Sequence, residues 1–196
     1  MKKILLGLAL TTLCVGPALA ALKVGDTAPD FTLQAALGAK DYTYKLSDAL
    51  SKGPVVVYFY PSAYTSGCDL EAHTFADNAE KFEAVKAGII GVSGDSIERL
   101  NVFEKDPAYC AGKFPVASDA DLKVAGTYNL TTTAAKEGAK DVRGVDIGHG
   151  FIERTTFVVG KDRKILAVFS SKDDKITPDQ HVEKSLELVT RLHAAK

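Results

Sequence analysis

The sequence predicts an α/β domain built as a mixed central sheet with helices on both faces. Three observations carry that prediction. Val55-Val56-Val57-Tyr58-Phe59-Tyr60 is a β-branched and aromatic run without polar alternation, as a strand buried on both faces requires. Small or apolar residues then recur at Cys68, Ala72, Phe75, Ala79, Phe82 and Val85, in steps that trace one face of a helix. Ile89 to Ser93 is a second buried strand, so strand, helix and strand make a right-handed parallel crossover.

The remaining elements follow in order. Residues 22–50 hold short alternating runs, Asp30 to Gln34 and Tyr42 to Lys45, which predict a small hairpin. Gly88 is expected to close the long helix, and a second helix to start near Asp95 with Glu98 completing a capping pair. Phe114 to Ala117 reads as a short strand. Residues 131–150 are rich in Thr, Ala, Gly and charge with no period, and read as a long surface insertion or mobile loop. Thr155 to Val159 and Lys164 to Phe169 flank Gly160-Lys161-Asp162-Arg163, a hairpin signal. At Thr177-Pro178-Asp179-Gln180 a last helix opens, with Thr as cap, Pro in the first turn and Gln three residues on. Val182, Leu186, Val189 and Leu192 are its expected buried stripe.

Composition bounds the function. The 196 residues carry 24 Lys+Arg against 25 Asp+Glu, so no basic surplus marks a nucleic-acid binder. Lys2 and Lys3, an apolar run to Val15, and Ala18-Leu19-Ala20 make the pattern of a secretory signal over residues 1–20, expected to be cleaved after Ala20. The rest, residues 21–196, is read as one domain without repeat or linker. The signal predicts export to the periplasm or beyond the cell, and no later stretch approaches a membrane span. Cys14 leaves with the signal, so Cys68 and Cys110 meet an oxidising compartment.

Cys68 heads the long helix directly after a buried strand. Unsatisfied amides and the dipole at a helix N-terminus stabilise an anion, so its thiol is expected to fall below the free value of about 8.5. Position alone fits a small buried residue on the core stripe equally well. His73, His149, His181 and His193 are scattered without C-x-x-C or H-x-x-x-H spacing, so neither metal nor cofactor is expected. His149, between two glycines, reads as a plain loop residue.

The surrounding residues favour reactivity. Pro61-Ser62-Ala63-Tyr64-Thr65-Ser66-Gly67-Cys68 follows the pattern P-x-x-x-T-x-x-C, and here the chain resembles the peroxiredoxins. With Phe59-Tyr60 before it and Asp69-Leu70-Glu71-Ala72 after, it is most similar to their bacterioferritin-comigratory type. Further similar blocks are Val24 to Phe31, Gly91 to Ser96, Phe114 to Asp119 and Glu153 to Phe157, in that order. The resemblance implies a thioredoxin-like fold and a peroxidase that reduces hydrogen peroxide or organic hydroperoxides at the expense of a thiol reductant.

It also implies roles. Cys68 is the expected nucleophile, passing through a sulfenic acid. Thr65 places a hydroxyl at the sulfur and the peroxide, Arg154 brings a permanent cation, Pro61 shields the oxidised sulfur from water, and Glu71 supports the set. Taken singly, Thr65 also suits a helix cap, Arg154 a surface ion pair and Pro61 a strand stop. Relatives that resolve within the helix carry a second cysteine five residues on, where this chain has His73. Cys110 is therefore expected to resolve Cys68 as an intramolecular disulfide, with local unwinding near either cysteine. Resolution by an external thiol stays open, as does a secreted binding protein with a permanent Cys68–Cys110 bridge. A monomer or homodimer is implied.

Overall fold

The computed structural model describes residues 20–38 and 40–195. The expected signal segment lies outside the described residues, apart from Ala20. Among the described residues nine strands and five helices follow in chain order. They are β1 (Thr32–Leu37), β2 (Lys40–Lys45), α1 (Leu46–Lys52), β3 (Val55–Phe59), α2 (Ser66–Ala84), β4 (Gly88–Ser93) and α3 (Ile97–Lys105). After them come β5 (Val116–Ser118), α4 (Lys123–Thr127), β6 (Thr132–Thr133), β7 (Phe151–Ile152), β8 (Thr155–Val159), β9 (Ile165–Ser170) and α5 (Pro178–Ala194).

Seven strands form one mixed sheet in the order β2-β1-β5-β4-β3-β8-β9. β3 pairs with β4 in parallel across α2, the expected crossover, and with β8 antiparallel on its other side. All five residues of β3 are buried. Their side chains alternate between faces. Val56 and Tyr58, with Tyr60 beyond, pack with Phe75 and Phe82 of α2, Leu100 and Phe103 of α3, and Val182 and Val189 of α5. Val55, Val57 and Phe59 pack with Leu46 and Leu50 of α1 and with Ala125 of α4. Both faces of the sheet are thus covered, which explains the lack of polar alternation.

The structure corrects several boundaries. The α3 helix begins at Ile97, capped by the Ser96 hydroxyl, which accepts from Arg99 N–H. Asp95 is instead drawn inside by charged partners. The α2 helix ends at Ala84, and the left-handed residue beyond it is Lys86, so the turn needs no glycine; Gly88 opens β4. The short helices α1 and α4 went unread, because seven and five residues are too few to show a period. At α5 the Thr177–Gln180 capping box and Pro178 in the first turn are present as expected.

The 131–150 segment is no loose loop. β6 pairs with β7, and Lys140 bridges Asp146. Val142 N–H donates to Tyr64 C=O at 2.9 Å, while Asp141 and Ile147 are buried. It is a strap fastened across the loop that precedes Cys68. Its anchors, the Tyr64 carbonyl among them, lie on distant parts of the chain, so its own composition could not announce them. Among the described residues no helix is long and apolar enough to cross a membrane.

Candidate active site

The site forms where β3 ends and α2 begins. Pro61 is half-buried at that exit, and Tyr64 takes a left-handed conformation (φ 59°) that turns the chain into the helix. Cys68 N–H donates to Thr65 C=O, placing Cys68 in the first turn of α2, 2 % exposed. Arg154 immediately precedes β8. Because Thr155 pairs with Phe59, Arg154 arrives beside the C-terminal end of β3 and faces the head of α2.

The geometry around the sulfur is tight. Arg154 Nη2 donates to Cys68 Sγ at 3.0 Å, and Nη1 donates to Glu71 Oε2. The Thr65 hydroxyl donates to the Ser62 carbonyl at 2.8 Å and lies within reach of the sulfur, as does the Ser62 main chain. Thr65 occupies the cap position, but its hydroxyl bonds no helix amide. Gly67 leaves room for the cation: a Cβ there would stand 3.3 Å from Arg154 Nη2. Cys68 and Arg154, 86 residues apart in the chain, therefore meet at one point together with Thr65 and Glu71.

Electrostatics correct one expectation. Burial raises the Cys68 thiol above its ordinary value, and Arg154, Thr65 and Ser62 pull it back only in part. The helix terminus alone suggested a fall; the depth of the sulfur, invisible in a linear sequence, outweighs it. Glu71 is fully buried and burial lifts it to about 7, against the pull of Arg154. His181 of α5 stands 4.0 Å from Glu71 Oε1, bonds Thr156 and Ser171, and is held down to about 4 by burial and by Arg154.

Cys110 lies in the turn between α3 and β5, fully buried, with left-handed Ala111 and Gly112 behind it. Cys68 and Cys110 are both free thiols in one apolar cluster, so no standing bridge joins them. Burial drives the Cys110 thiol well above its ordinary value. The Tyr64 and Tyr109 rings stand edge to face at 5.3 Å, linking the two cysteine loops. Among the described residues no group of three His, Cys, Asp or Glu is placed to hold a metal. His73 is exposed and pairs with Asp77 one turn on, not with Cys68.

A second cluster beneath the loop went unread in the sequence. Asp95, fully buried, takes hydrogen bonds from Ala63 N–H, the Ser62 and Ser93 hydroxyls and the His149 ring, and an ion pair from Arg99. Arg99 also donates to the Ala63 carbonyl and to Asp141, which is held by Arg143 as well. The Arg143 guanidinium lies 3.2 Å over the Tyr64 ring. Ser93 and Asp95 sit in the Gly91 to Ser96 block, which was the available signal; Arg99, Asp141 and Arg143 offered none.

A free sulfur at a helix head on this sheet, backed by a cation and a hydroxyl, is the arrangement of a thioredoxin-fold thiol peroxidase. Comparison with known proteins agrees. The AhpC/TSA family model matches residues 24–168, and the chain belongs to that family, as a peroxiredoxin of the bacterioferritin-comigratory type. A putative peroxiredoxin of Mycobacterium tuberculosis (strain ATCC 25618 / H37Rv) is 38% identical over 165 residues, 84% of this chain and 94% of that one. Peroxiredoxin Bcp of Bacillus subtilis (strain 168) is 32% identical over 166 residues, 85% of this chain and 94% of its own. The crystal structure of peroxidoxin BcpB from Mycobacterium tuberculosis superposes with a TM-score of 0.70 at 33% identity, covering 87% of this chain and 97% of that one.

Proposed function

We propose that this thiol-dependent peroxidase attacks hydroperoxides with Cys68 and resolves the product with Cys110. The single observation that carries the first half is the Arg154 Nη2 contact to Cys68 Sγ at 3.0 Å, completed by the Thr65 hydroxyl. The sulfur bonds to the outer peroxide oxygen as the O–O bond breaks. The sulfur is oxidised to sulfenic acid and the departing oxygen leaves as water or an alcohol, carrying the thiol proton. Charge builds on that departing oxygen, where fixed donors are worth most. Arg154 supplies a donor that needs no reorganisation, and the Thr65 hydroxyl adds a second once it turns from the Ser62 carbonyl. Pro61, without an N–H, keeps one side of the sulfenic acid dry.

Cys110 then attacks the sulfenic sulfur, forming the disulfide and releasing water. A dithiol reductant returns both thiols by exchange. What supports Cys110 is its burial in the same cluster as Cys68 and the aromatic link between their loops. We further propose that residues 1–20 are a cleaved export signal, that the enzyme works in the periplasm or outside the cell, and that it acts as a monomer or homodimer. Stopped-flow oxidation by hydrogen peroxide tests the core of this reading. Cys68→Ser should abolish the fast phase; a Cys68→Ser protein that still consumes peroxide at the wild-type rate overturns it.

A further inference from the structure

His149 carries the strap's ring contact to Ser62 of the active-site loop and to Asp95, and its role as an idle loop residue does not survive the geometry. Nδ1 lies 2.8 Å from the Gly150 carbonyl and Nε2 lies 2.7 Å from Asp95 Oδ1. Both partners accept hydrogen bonds only. A neutral ring carries one N–H and would leave one nitrogen lone pair facing an acceptor. An acceptor at each nitrogen therefore favours an imidazolium over the neutral ring, for which the Ser62 hydroxyl at 3.2 Å is the one donor facing Nε2.

The seat is close-fitting. A Cβ on Gly94 would stand 2.8 Å from the Gly150 carbonyl and 2.9 Å from His149 Nδ1, so the Gly94-Asp95 turn accepts only glycine under this ring. Asp95 Oδ1, which holds Nε2, also accepts from the Ser62 hydroxyl at 3.0 Å, and that hydroxyl lies 3.2 Å from Nε2 itself. Asp95 Oδ2 takes the Ala63 N–H at 2.8 Å. Ser62 is the hub of the sulfur's donors: its carbonyl holds the Thr65 hydroxyl and its main chain faces Sγ. The chain of contacts runs from His149 through Asp95 and Ser62 to Cys68.

We propose that His149 is a positioning residue for peroxide attack, acting as a buried imidazolium that fixes Ser62, and through it Thr65, against the Cys68 sulfur. This rests on Cys68 being the attacking thiol. The groups that face the ring are Asp95 from the turn after β4, Arg99 from α3, the Ser62 hydroxyl from the active-site loop and the Gly150 carbonyl from the strap. Burial and Arg99 disfavour the charged ring. The Asp95 and Gly150 acceptors outweigh them, and His149 is raised above its ordinary value. Its pinning is complete at acid pH and fades as pH rises through that raised value.

The test compares the second-order rate of hydrogen peroxide attack in wild type, His149→Gln and His149→Leu between pH 5.5 and 9. Gln keeps one N–H for Asp95 but cannot titrate. Loss of loop placement costs up to about a hundredfold in such reactions. The expected result is that the ratio of wild-type to His149→Gln rate falls about tenfold as pH rises across the His149 titration, with His149→Leu slow throughout. A ratio that stays flat with pH overturns the proposal. In the same samples, heteronuclear NMR of the wild-type ring should show both nitrogens protonated at pH 6. A single neutral tautomer there overturns it whatever the variants do. Failure of the Cys68 reading is separable, because Cys68→Ser would then leave peroxide consumption intact while the His149 titration stayed unchanged.

Discussion

Arg154 grips Cys68 and Glu71 with different nitrogens of one guanidinium, Nη2 on the sulfur at 3.0 Å and Nη1 on the carboxylate. One planar fork thus couples the Cys68 sulfur to a fully buried acid, a geometry that a lysine ammonium cannot reproduce. Arg154→Lys and Arg154→Gln should both slow the peroxide reaction, the latter by about a hundredfold or more, as for loss of one fixed transition-state donor. The Cys68 thiol should rise further in Arg154→Gln, read from thiolate absorbance against pH. A peroxide rate within threefold of wild type in Arg154→Gln would remove the cation from the mechanism.

Glu71 and His181 carry opposite pH signatures. Glu71 is raised from 4.5 to about 7, so the folded chain holds this proton where the unfolded chain has lost it. Its contribution to stability is full below pH 4.5 and is lost as pH rises toward 7. His181 is lowered from 6.5 to about 4, so the folded chain refuses a proton that the unfolded chain binds. Its contribution is present above pH 6.5 and is lost as pH falls toward 4. The two slopes oppose each other between pH 4.5 and 6.5. Removing the first with Glu71→Gln should make the variant gain stability relative to wild type as pH rises from 4.5 to 7. Urea melts at three pH values across that range give the sign directly, and a relative stability that falls with pH contradicts the assignment.

How much of this was legible follows from where each signal lives. The β3–α2–β4 crossover was readable because its strands are buried on both faces and its helix is 19 residues long, enough to display a period. The Cys68 and Thr65 placements were readable because they lie within one short motif. Arg154 was readable only through resemblance, since nothing local to Glu153-Arg154-Thr155 reveals that β8 pairs beside β3. The strap, read as a surface insertion or loop, hid its fastening for the same reason. Its order comes from Arg99 and Tyr64, which are far away in sequence, while its composition is that of a solvated loop. The raised Cys68 thiol was beyond reach, because burial is a property of the assembled molecule.

Cys110 defines a third expectation. Both sulfurs are buried, and the Tyr64 ring stands edge-on to Tyr109 beside Cys110 and to Phe103 of α3. Forming the disulfide is expected to loosen that aromatic joint, leaving the oxidised enzyme locally opened. With one equivalent of peroxide, wild type should lose two mass units as the bridge closes. Cys110→Ser should instead gain sixteen, as a sulfenic acid. Hydrogen exchange should quicken at residues 61–70 or 106–113 in the oxidised wild type only. Normal turnover of Cys110→Ser with the same reductant would assign resolution to an external thiol.

The strap offers the last prediction. Asp141 is a buried carboxylate shared by Arg99 and Arg143. Burial works against its charge, but Arg143 and the N–H groups of Val145 and Arg143 prevail and hold it down to about 2. Asp141→Ala leaves Arg99, itself largely buried, with Asp95 as its remaining carboxylate, and should cost about 1–3 kcal/mol, the penalty for buried donors left without one acceptor. Arg143→Ala removes a more exposed group together with its two hydrogen bonds to Asp141 and its stacking on Tyr64, the stacking being about 0.5–2 kcal/mol. The pH sign separates this from simple cavity formation. A carboxylate lowered from 3.8 to about 2 contributes fully above pH 3.8 and loses its contribution as pH falls toward 2. The gap between wild type and Asp141→Ala in urea melts should therefore narrow below pH 3.8. A gap as wide at pH 2.5 as at pH 7 would mean that packing, not the shared charge, fastens the strap over Tyr64.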